Sequence, residues 1–524
     1  MPELLQSTQR LLQNYQIWHQ SLQRKEGIPV IHVDEVASRV AAFYEKIRGV
    51  MDWREEHLLK KTAVERMLKR RFFLKKVDEE IAKPLVHELI RAGHFANDSI
   101  PEEKVLLVQK SINKYAFIIE NAAHADEKTK INLSDWLLGI AACEIDEILY
   151  PPLKQEYMME FMFEQMKEII TAKIPQPEIE TQIYIAVQKA LFKLDNPCIS
   201  YNLLKQWYRQ WLNLPENQIQ EVTNNIFFLK DKIEENLNHA LSEKFYEICE
   251  RKDTAYLILD DILAESPTDN QTLFSNPATL ESKMREAYRL RLQKVKTRMR
   301  RAATYSTISI FISKITLALA IEVPIDKYLN ALNDLALSVN IFLPPLLMFF
   351  LALSIKPPSS KNEDLVVLEV MNIVYAKERK DIYEVKPAAK GGVVSNIVIG
   401  LLYLLSSAAT FGLIIWGLGR LQFSFISIII FIVFISLISF AGVKIRKRAN
   451  ELVVEKEKES FLQSLFDLFS LPIIQVGRWL SGQWARYNVL TVLFNSLLDM
   501  PFQIFVEFLE QWRIFLKEKK EKIR

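Results

Sequence analysis

The sequence predicts an all-α protein made of a soluble helical domain, a four-helix transmembrane bundle and C-terminal amphipathic helices. Three observations lead to that class. The first is that glycine is scarce. The 524 residues include only 13 glycines, and just four of them precede residue 390, namely Gly27, Gly49, Gly93 and Gly139. Tight β-turns and phosphate-binding loops need glycine, so β-rich and nucleotide-binding folds are disfavoured. Apolar residues of the first half recur at helical spacing, and the second half contains long uncharged runs.

Residues 1–282 are rich in charge and are predicted to form the helical domain, with a linker over 265–282. The N-terminus lacks the basic and apolar regions of a signal peptide, so we expect this domain to stay in the cytoplasm. Three cysteines, Cys143, Cys198 and Cys249, are far apart and show no C-x-x-C spacing. This pattern argues against a disulfide framework or a cysteine zinc site and agrees with a reducing compartment.

Four uncharged or nearly uncharged stretches are long enough to span a bilayer, which takes about 20 mostly apolar residues. Each is too evenly apolar to be a soluble core helix with one wet face. The predicted spans lie within 302–443 and cover approximately 302–323, 333–355, 391–418 and 421–443.

The distribution of basic residues predicts how these spans are oriented. Lysines and arginines crowd the segment 283–301, the connection between spans two and three, and the segment after span four, whereas connections 322–328 and 417–422 are short and poor in bases. Because basic residues are retained on the cytoplasmic side, we expect a multi-pass protein of the cell membrane with both termini cytoplasmic. Net charge is only +3, so contact with the anionic inner leaflet needs local patches. The candidate lipid contacts are Arg298, Arg300, Arg301, Lys444, Arg446, Lys447, Arg448, Lys519 and Lys520.

One cation lies well inside the first span. Lys314 is about 18 Å beyond the start of that span by helical rise, where a lone cation costs ~3 kcal/mol or more. Snorkelling or a partner such as Asp334 would reduce this cost. Two interpretations remain open for this candidate polar site, structural packing of the helices or a polar pathway and ligand site. Hydroxyl side chains predicted on one face of the same helix are Ser306, Ser309, Ser313 and Thr316.

The segment 444–524 is predicted to form cytoplasmic amphipathic helices that lie at the inner leaflet and end in a basic tail. Pro472 and Pro501 divide it into short pieces, and Ile473, Val476 and Leu480 form an apolar stripe on one of them. A fifth span over 487–506 would place the terminal lysines outside, against the positive-inside tendency. A re-entrant hairpin and a seam packed on the soluble domain remain alternatives.

Motifs for chemistry are few. The stretch HELIRAGH has Arg91 where a zinc-binding H-E-x-x-H motif needs its second histidine, and the CEIDE stretch, 143–147, is interpreted as a solvated helix face. The basic stretch 60–76 favours a solvated helix beside an acidic neighbour, with lipid headgroups and nucleic acid as alternatives. We therefore predict no catalytic residue, no metal ligand and no cofactor, and we consider a nucleic-acid partner unlikely.

Two stretches carry a resemblance. They are PIIQVGRWLSGQWARYNVLTVLFNSLLDMPFQIFVEFLEQW in the tail and VDEVASRVAAFYEKIRGVMDWREEHLLKK near the start. Together they resemble uncharacterised multi-pass membrane proteins from bacteria of the candidate phyla radiation. The resemblance implies a bacterial cytoplasmic membrane and brings no activity or site residue with it.

These observations favour a non-enzymatic role. The leading hypothesis is a membrane-anchored scaffold or interaction protein whose cytoplasmic helices bind a protein partner or self-associate. The alternative is an oligomeric channel or small transporter with a polar path at span one. A membrane-embedded enzyme is a weaker third hypothesis, because the spans contain no cluster of His, Asp or Glu.

Overall fold

The computed structural model describes residues 4–23, 27–51, 56–74, 80–123, 126–265, 270–328, 333–355, 360–375, 381–386, 393–449, 452–454, 461–486 and 500–523. Within these ranges the regular structure is helical, apart from two strands of three residues each. The predicted all-α class is therefore confirmed.

The soluble half contains helices of six to 24 residues. Side-chain caps mark some of their starts: Asp126 accepts a hydrogen bond from the Thr129 amide, and Asp195 accepts one from the Cys198 amide. Such caps satisfy N–H groups that the first helical turn leaves unpaired. The elements are α1 (Gln6–Ser21), α2 (Glu35–Met51), α3 (Glu56–Leu74), α4 (Ala82–Arg91), α5 (Glu103–Asn121), α6 (Glu127–Leu149), α7 (Leu153–Ile169), β1 (Ile170–Ala172), α8 (Gln176–Phe192), α9 (Asn196–Trp207), α10 (Glu216–Asn224), α11 (Ile226–Leu237), α12 (Ser242–Glu265) and α13 (Asn270–Ser275).

The second half begins with a helix that joins the two halves. Asn276 caps α14, whose first residue is Pro277, so this helix starts inside the predicted linker and runs continuously through the basic segment into the first span. The elements are α14 (Pro277–Leu317), a π-helical turn (Ala318–Glu322), α15 (Val323–Tyr328), α16 (Asp334–Ser354), α17 (Ser360–Tyr375), β2 (Tyr383–Val385), α18 (Val393–Arg420), α19 (Phe425–Ala449), α20 (Phe461–Arg486) and α21 (Met500–Ile523).

Four helices are long and apolar enough to cross a membrane: Pro277–Tyr328, Asp334–Ser354, Ile397–Arg420 and Phe425–Lys447. They coincide with the four predicted spans. One boundary differs, because residues 322–328, predicted as an external turn, continue the first helix. The second predicted turn does contain the break between α18 and α19, where Gln422 adopts a positive φ of 59°.

Two apolar cores organise the soluble half. The first is built from α3–α6 and α9–α11 and includes the fully buried side chains of Val64, Leu85, Leu137 and Ile199. The second is built around α1, α7, α8 and α12. Each core buries side chains from helices that are distant in the chain, so neither core could form from a local segment alone.

Segments from the membrane half complete the second core. The first part of α14 contributes Leu280 and Met284, and α17, which connects spans two and three, contributes Val366, Val370 and Ile373. The strand β2 from the same connection pairs in parallel with β1 of the soluble half. The connection is therefore a structural part of the soluble domain.

Residues after the fourth span also join this core. Leu452 is buried in it, and Asn362 of α17 donates hydrogen bonds to the Leu452 carbonyl and to the Tyr288 hydroxyl, the latter at 3.0 Å. The Asn362 side-chain oxygen accepts from the Val454 amide at 2.9 Å. The soluble half, the connection between spans two and three and the segment after span four therefore lie on one side of the spans.

Basic side chains of the stretch 60–76 form ion pairs within the soluble domain. Lys61 is 2% exposed and lies 2.8 Å from Glu65 and 2.9 Å from Asp195. Arg70 and Arg71 both pair with the buried carboxylate of Glu88. These pairs agree with the expected acidic neighbours, but the helix is not solvated, because none of its described basic side chains is fully exposed. Glu88, the glutamate of the HELIRAGH stretch, is thus paired with two arginines.

The CEIDE stretch is not a solvated face, so that interpretation was wrong. Glu144 is fully buried and accepts hydrogen bonds from Lys114 at 2.7 and 2.8 Å and from the Tyr115 hydroxyl at 2.7 Å. Burial and the Glu144 carboxylate raise the pKa of Tyr115 well above its ordinary value, so the phenol keeps its proton and donates. Trp211 closes this network by donating to the Tyr115 hydroxyl.

The C-terminal helices divide between the two halves of the molecule. The hydroxyls of Ser406 and Thr410, near the middle of α18, donate to the carbonyls of Leu468 and Phe469 on α20. Gly477 of α20 lies against the Ser436 backbone of α19, with no room for a Cβ atom. Helix α20 therefore packs along the spans. This corrects the expectation that it lies at the inner leaflet.

The last helix, α21, packs on the soluble domain, as the seam alternative expected. Val506 is buried against Ala37 and Ala41 of α2, and Arg513 lies 3.3 Å from Asp34. The disfavoured alternative of a fifth span over 487–506 falls mostly outside the described residues, because 487–499 are not described.

The substitution Ile373→Ala tests whether α17 belongs to the soluble domain. Ile373 is fully buried in the second core, so its truncation should lower the free energy of unfolding by about 2–5 kcal/mol. Thermal or denaturant unfolding of the full chain in detergent measures this change. Leu368→Ala on the same helix is the matched control, because Leu368 is 59% exposed and its truncation should change stability by no more than about 0.5 kcal/mol. Equal effects of the two substitutions would contradict the assignment.

Candidate polar site in the membrane helices

Lys314 is paired inside the bundle, and its partner is Glu322. The Lys314 ammonium lies 2.6 Å from the Glu322 carboxylate, and both side chains are fully buried. The predicted partner, Asp334, is exposed at the start of α16. A buried, paired lysine avoids most of the cost of an isolated cation in an apolar environment.

A π-helical turn explains why residues eight apart can pair. In a continuous α-helix, positions 314 and 322 would point about 80° apart, because each residue turns the helix by about 100°. The turn Ala318–Glu322 is π-helical, in which each residue turns the chain by only about 80°. This slower rotation brings Glu322 back to the face that carries Lys314. The two long side chains then span the remaining separation along the axis.

Neighbouring spans complete the surroundings of this pair. The Asn340 amide of α16 donates to the second Glu322 oxygen at 2.6 Å. The Phe434 ring of α19 lies 5.1 Å from the Lys314 ammonium, which is within the range of a cation–π interaction. Three spans therefore meet at one ion pair.

The polar contacts continue toward the connection between α15 and α16. Asp326 accepts a hydrogen bond from Ser427 of α19 at 3.2 Å, and both residues are buried. Asn333 donates to Gln422 at 2.9 Å, joining the ends of α16 and α18. Polar contacts thus accompany the bundle from Lys314 to its far end.

Some polar atoms of this region have no hydrogen-bond partner among the described residues. They are the side-chain oxygen Oδ1 of Asn340, Oδ1 of Asp326 and the hydroxyl of Ser436, all buried. Unsatisfied buried polar atoms are costly and are therefore uncommon. They identify this part of the bundle as the place where a polar ligand, water or proton would find partners.

The predicted hydroxyl stripe does not join the ion pair as one unit. Ser306 is buried, whereas Ser309, Ser313 and Thr316 are exposed on the outer face of α14. The Thr316 hydroxyl donates to the Ile312 carbonyl of its own helix, a contact that polar residues in apolar helices commonly make. Three of the four hydroxyls therefore face away from Lys314.

Sequence patterns missed the two residues that complete the site. Glu322 begins the segment 322–328, which the sequence predicts as an external turn, and Asn340 lies in the apolar run of the second predicted span. Asn340 did carry a signal, because an amide in the middle of a span is costly without a partner.

The predicted lipid contacts are mostly exposed. Arg298, Arg300 and Arg301 are exposed midway along α14, where span one begins. Lys444, Arg446 and Lys447 are exposed near the end of α19, and Lys519 is exposed on α21. Lys447 also lies 3.7 Å from Glu250 of the soluble domain, and Lys444 lies over the Phe440 ring. The side chains of Arg448 and Lys520 lie outside the described residues.

Substitutions at the ion pair test its contribution to stability. Lys314→Met and Glu322→Gln should each lower the free energy of unfolding by about 3–5 kcal/mol, because each leaves an unpaired group buried. The double variant should recover much of this loss, since no unpaired charge remains. Unfolding of the full chain in mixed micelles, followed by tryptophan fluorescence, measures these differences.

The matched control is Lys327→Met, because Lys327 lies thirteen residues beyond Lys314 in the same apolar region and is exposed. It should change stability by no more than about 0.5 kcal/mol. Additive losses in the double variant would show that the two side chains do not act as a pair.

Comparison with known proteins does not assign this site. No protein-family model, curated protein or solved structure matches the chain. The function must therefore be inferred from the fold and from the contacts of its own residues.

Proposed function

We propose that this chain is a membrane-anchored helical scaffold whose soluble domain binds a protein partner or a second copy of itself. One observation carries the proposal: α17, β2 and Leu452 come from the membrane half and are built into the second core. Three separate connections hold the domain against the spans. A domain held in this way keeps a fixed orientation toward the membrane, which suits the presentation of a binding surface.

The surface that best fits a partner lies on α5. Its outer face exposes Leu106, Leu107 and Phe117, of which Leu106 is 69% exposed, and Leu212 lies nearby with 41% exposure. One groove, between α5 and the segment 212–220, is lined by Lys110, Asn113 and Leu212, and a second, between α5 and α4, is lined by Leu106, Gln109 and His87. Exposed apolar side chains beside grooves with a few polar groups are typical of protein interaction sites.

Photo-crosslinking in native membranes tests this surface. A photoreactive amino acid at position 106 or 117 should give a discrete crosslinked product, whose mass distinguishes a second copy from another protein. The same amino acid at Phe228 is the control, because Phe228 is 67% exposed on α11, away from α5. Crosslinking no stronger at 106 and 117 than at 228 would contradict the proposed surface.

A specific observation favours a second candidate function, transport along a polar path at span one. Lys314, Glu322 and Asn340 are buried together, and polar atoms without partners lie close by in the same bundle. Ionisable residues inside membrane helices often mark ion or proton pathways. The Lys314–Glu322 pair is closed, and three of the four hydroxyls of the stripe face outward. Both features favour the scaffold function over transport. Flux of protons or alkali cations through proteoliposomes that is lost in Glu322→Gln would favour transport.

We further propose that the soluble domain and both termini face the cytoplasm and that basic residues contact the anionic leaflet. The exposed arginines of α14 and lysines of α19 support this orientation, because cationic residues near span ends are retained on the cytoplasmic side. Helix α21 adds an apolar face of exposed Phe505, Phe508 and Trp512 beside Lys519, a composition suited to a lipid surface.

Cysteine labelling in intact cells tests the orientation. A membrane-impermeant maleimide should label Gly419→Cys without permeabilisation, because Gly419 lies in the proposed external turn, is exposed and has space for a side chain. Lys361→Cys on α17 should be labelled only after permeabilisation. The chain without introduced cysteines is the matched control, since its three cysteines all lie in the soluble domain. Labelling of Lys361→Cys from outside would invert the topology.

A further inference from the structure

Two cysteines that are 55 residues apart in the chain meet in the first core. The Sγ atoms of Cys143 on α6 and Cys198 on α9 are 3.1 Å apart. Cys143 is 8% exposed and Cys198 is partly exposed, so a small solute can reach the pair from the side of Cys198. The third cysteine, Cys249, is fully buried in the second core.

The backbone around the pair is arranged for close contact. Gly139, one turn before Cys143, faces Pro197, and a Cβ atom at Gly139 would lie only 3.3 Å from the proline ring. This close approach brings α6 against the first turn of α9. Asp195 caps that turn and accepts from the Cys198 amide at 3.2 Å, which fixes Cys198 as the third residue of the helix.

The charges around the sulfurs disfavour a bound cation. Cys143, Asp195 and Cys198 have donor atoms within 4.8 Å of one another, a grouping that could suit a metal. The Asp195 carboxylate, however, already binds the buried Lys61 ammonium at 2.9 Å. A metal cation placed there would be repelled by that ammonium and would compete with it for the carboxylate.

The two thiols do not lose their protons together. The hydrogen bond with Cys143 and burial raise the pKa of Cys198 well above its ordinary value. Although burial opposes it, the negative charges available at Cys143, Glu65 and Asp195 raise the pKa of Lys61. Cys198 therefore favours its protonated form, and its hydrogen bond with Cys143 holds the two sulfurs in contact.

We propose that Cys143 and Cys198 form a redox-active dithiol that a hydroperoxide oxidises to an intramolecular disulfide. The pair has the features that this modification needs: two sulfurs already in contact, access from solvent and a nearby cation. In an intracellular protein such a pair is more often a redox site than a permanent crosslink.

The reaction balances in two steps. A thiol first gives its proton to solvent; the thiolate attacks the OH oxygen of the hydroperoxide, the O–O bond breaks, and the sulfur becomes a sulfenic acid. The other oxygen leaves as an alkoxide or hydroxide, which takes a proton from solvent to become an alcohol or water. The second sulfur then attacks the sulfenic sulfur, the S–S bond forms, the S–O bond breaks, and hydroxide leaves as water with the proton of the second thiol. The two sulfurs together lose the two electrons that reduce the peroxide. A small dithiol reduces the disulfide back to two thiols by thiol–disulfide exchange.

Formation of the bond requires little movement. The sulfurs must approach by about 1 Å to reach the disulfide length of about 2.0 Å. The bond would tie α6 to α9 next to Asp195, whose ion pair with Lys61 links α9 to α3. Oxidation would therefore lock three helices of the first core together.

The experiment counts free thiols in the full chain in detergent. The protein is treated with hydrogen peroxide or left reduced, then blocked with a maleimide after denaturation, and the bound maleimide is counted by mass spectrometry. The reduced chain should bind maleimide at all three cysteines, and the oxidised chain at Cys249 alone. A non-reducing peptide map should show the Cys143 peptide linked to the Cys198 peptide, and dithiothreitol should restore all three thiols.

Cys249→Ser is the matched control, because it leaves the pair intact and should lose every reactive thiol on oxidation. Cys143→Ser and Cys198→Ser should each form no intramolecular disulfide. The proposal is overturned if all three thiols survive peroxide in the wild type, or if thiol loss yields sulfinic acids without a linked peptide. It is also overturned if the reduced chain retains equimolar zinc that protects both thiols, since the pair would then be a metal site.

Discussion

The burial of apolar side chains from three chain segments in one core is the constraint on which the rest of the molecule depends. Helix α14 enters that core before span one, α17 enters it between spans two and three, and Leu452 enters it after span four. Segments that share a core must lie on the same side of the bilayer. The spans between them therefore come in pairs, and the bundle and the soluble domain become one body whose parts cannot be reoriented independently.

The bundle itself is organised by a different force. Apolar spans gain little from contacting one another in lipid, so polar contacts and close packing decide how they associate. Lys314, Glu322 and Asn340 supply such contacts between α14 and α16, and Gly477 lets α20 approach α19. A buried ion pair stabilises little compared with apolar side chains, but it is costly to break. The Lys314–Glu322 ion pair therefore favours one arrangement of the helices over others, but it adds little to the stability of the bundle.

The soluble domain follows the same rule for its buried charges. Lys61, Lys114 and Glu88 are nearly excluded from water, and each has a charged partner. Basic side chains of the soluble domain that the sequence suggests as contacts for lipid or nucleic acid are therefore already paired with carboxylates inside the domain. The cations that remain for a charged surface lie instead midway along α14, where span one begins, and near the ends of α19 and α21. This division supports the proposal that anionic lipid is contacted at the membrane boundary and that the α5 face binds a protein.

The sequence by itself determined the helical class, the four spans and the sides on which their connections lie, because these properties depend on composition and on charge along short segments. It also identified Lys314 as a residue that needs a partner. Only the tertiary structure decided that the partner is Glu322, because the pairing depends on a π-helical turn that no spacing rule for α-helices describes. The contact of Cys143 with Cys198, the burial of Glu144 and the position of α20 along the spans likewise depend on packing between distant segments. A linear pattern records which faces are apolar, but it does not record which faces meet.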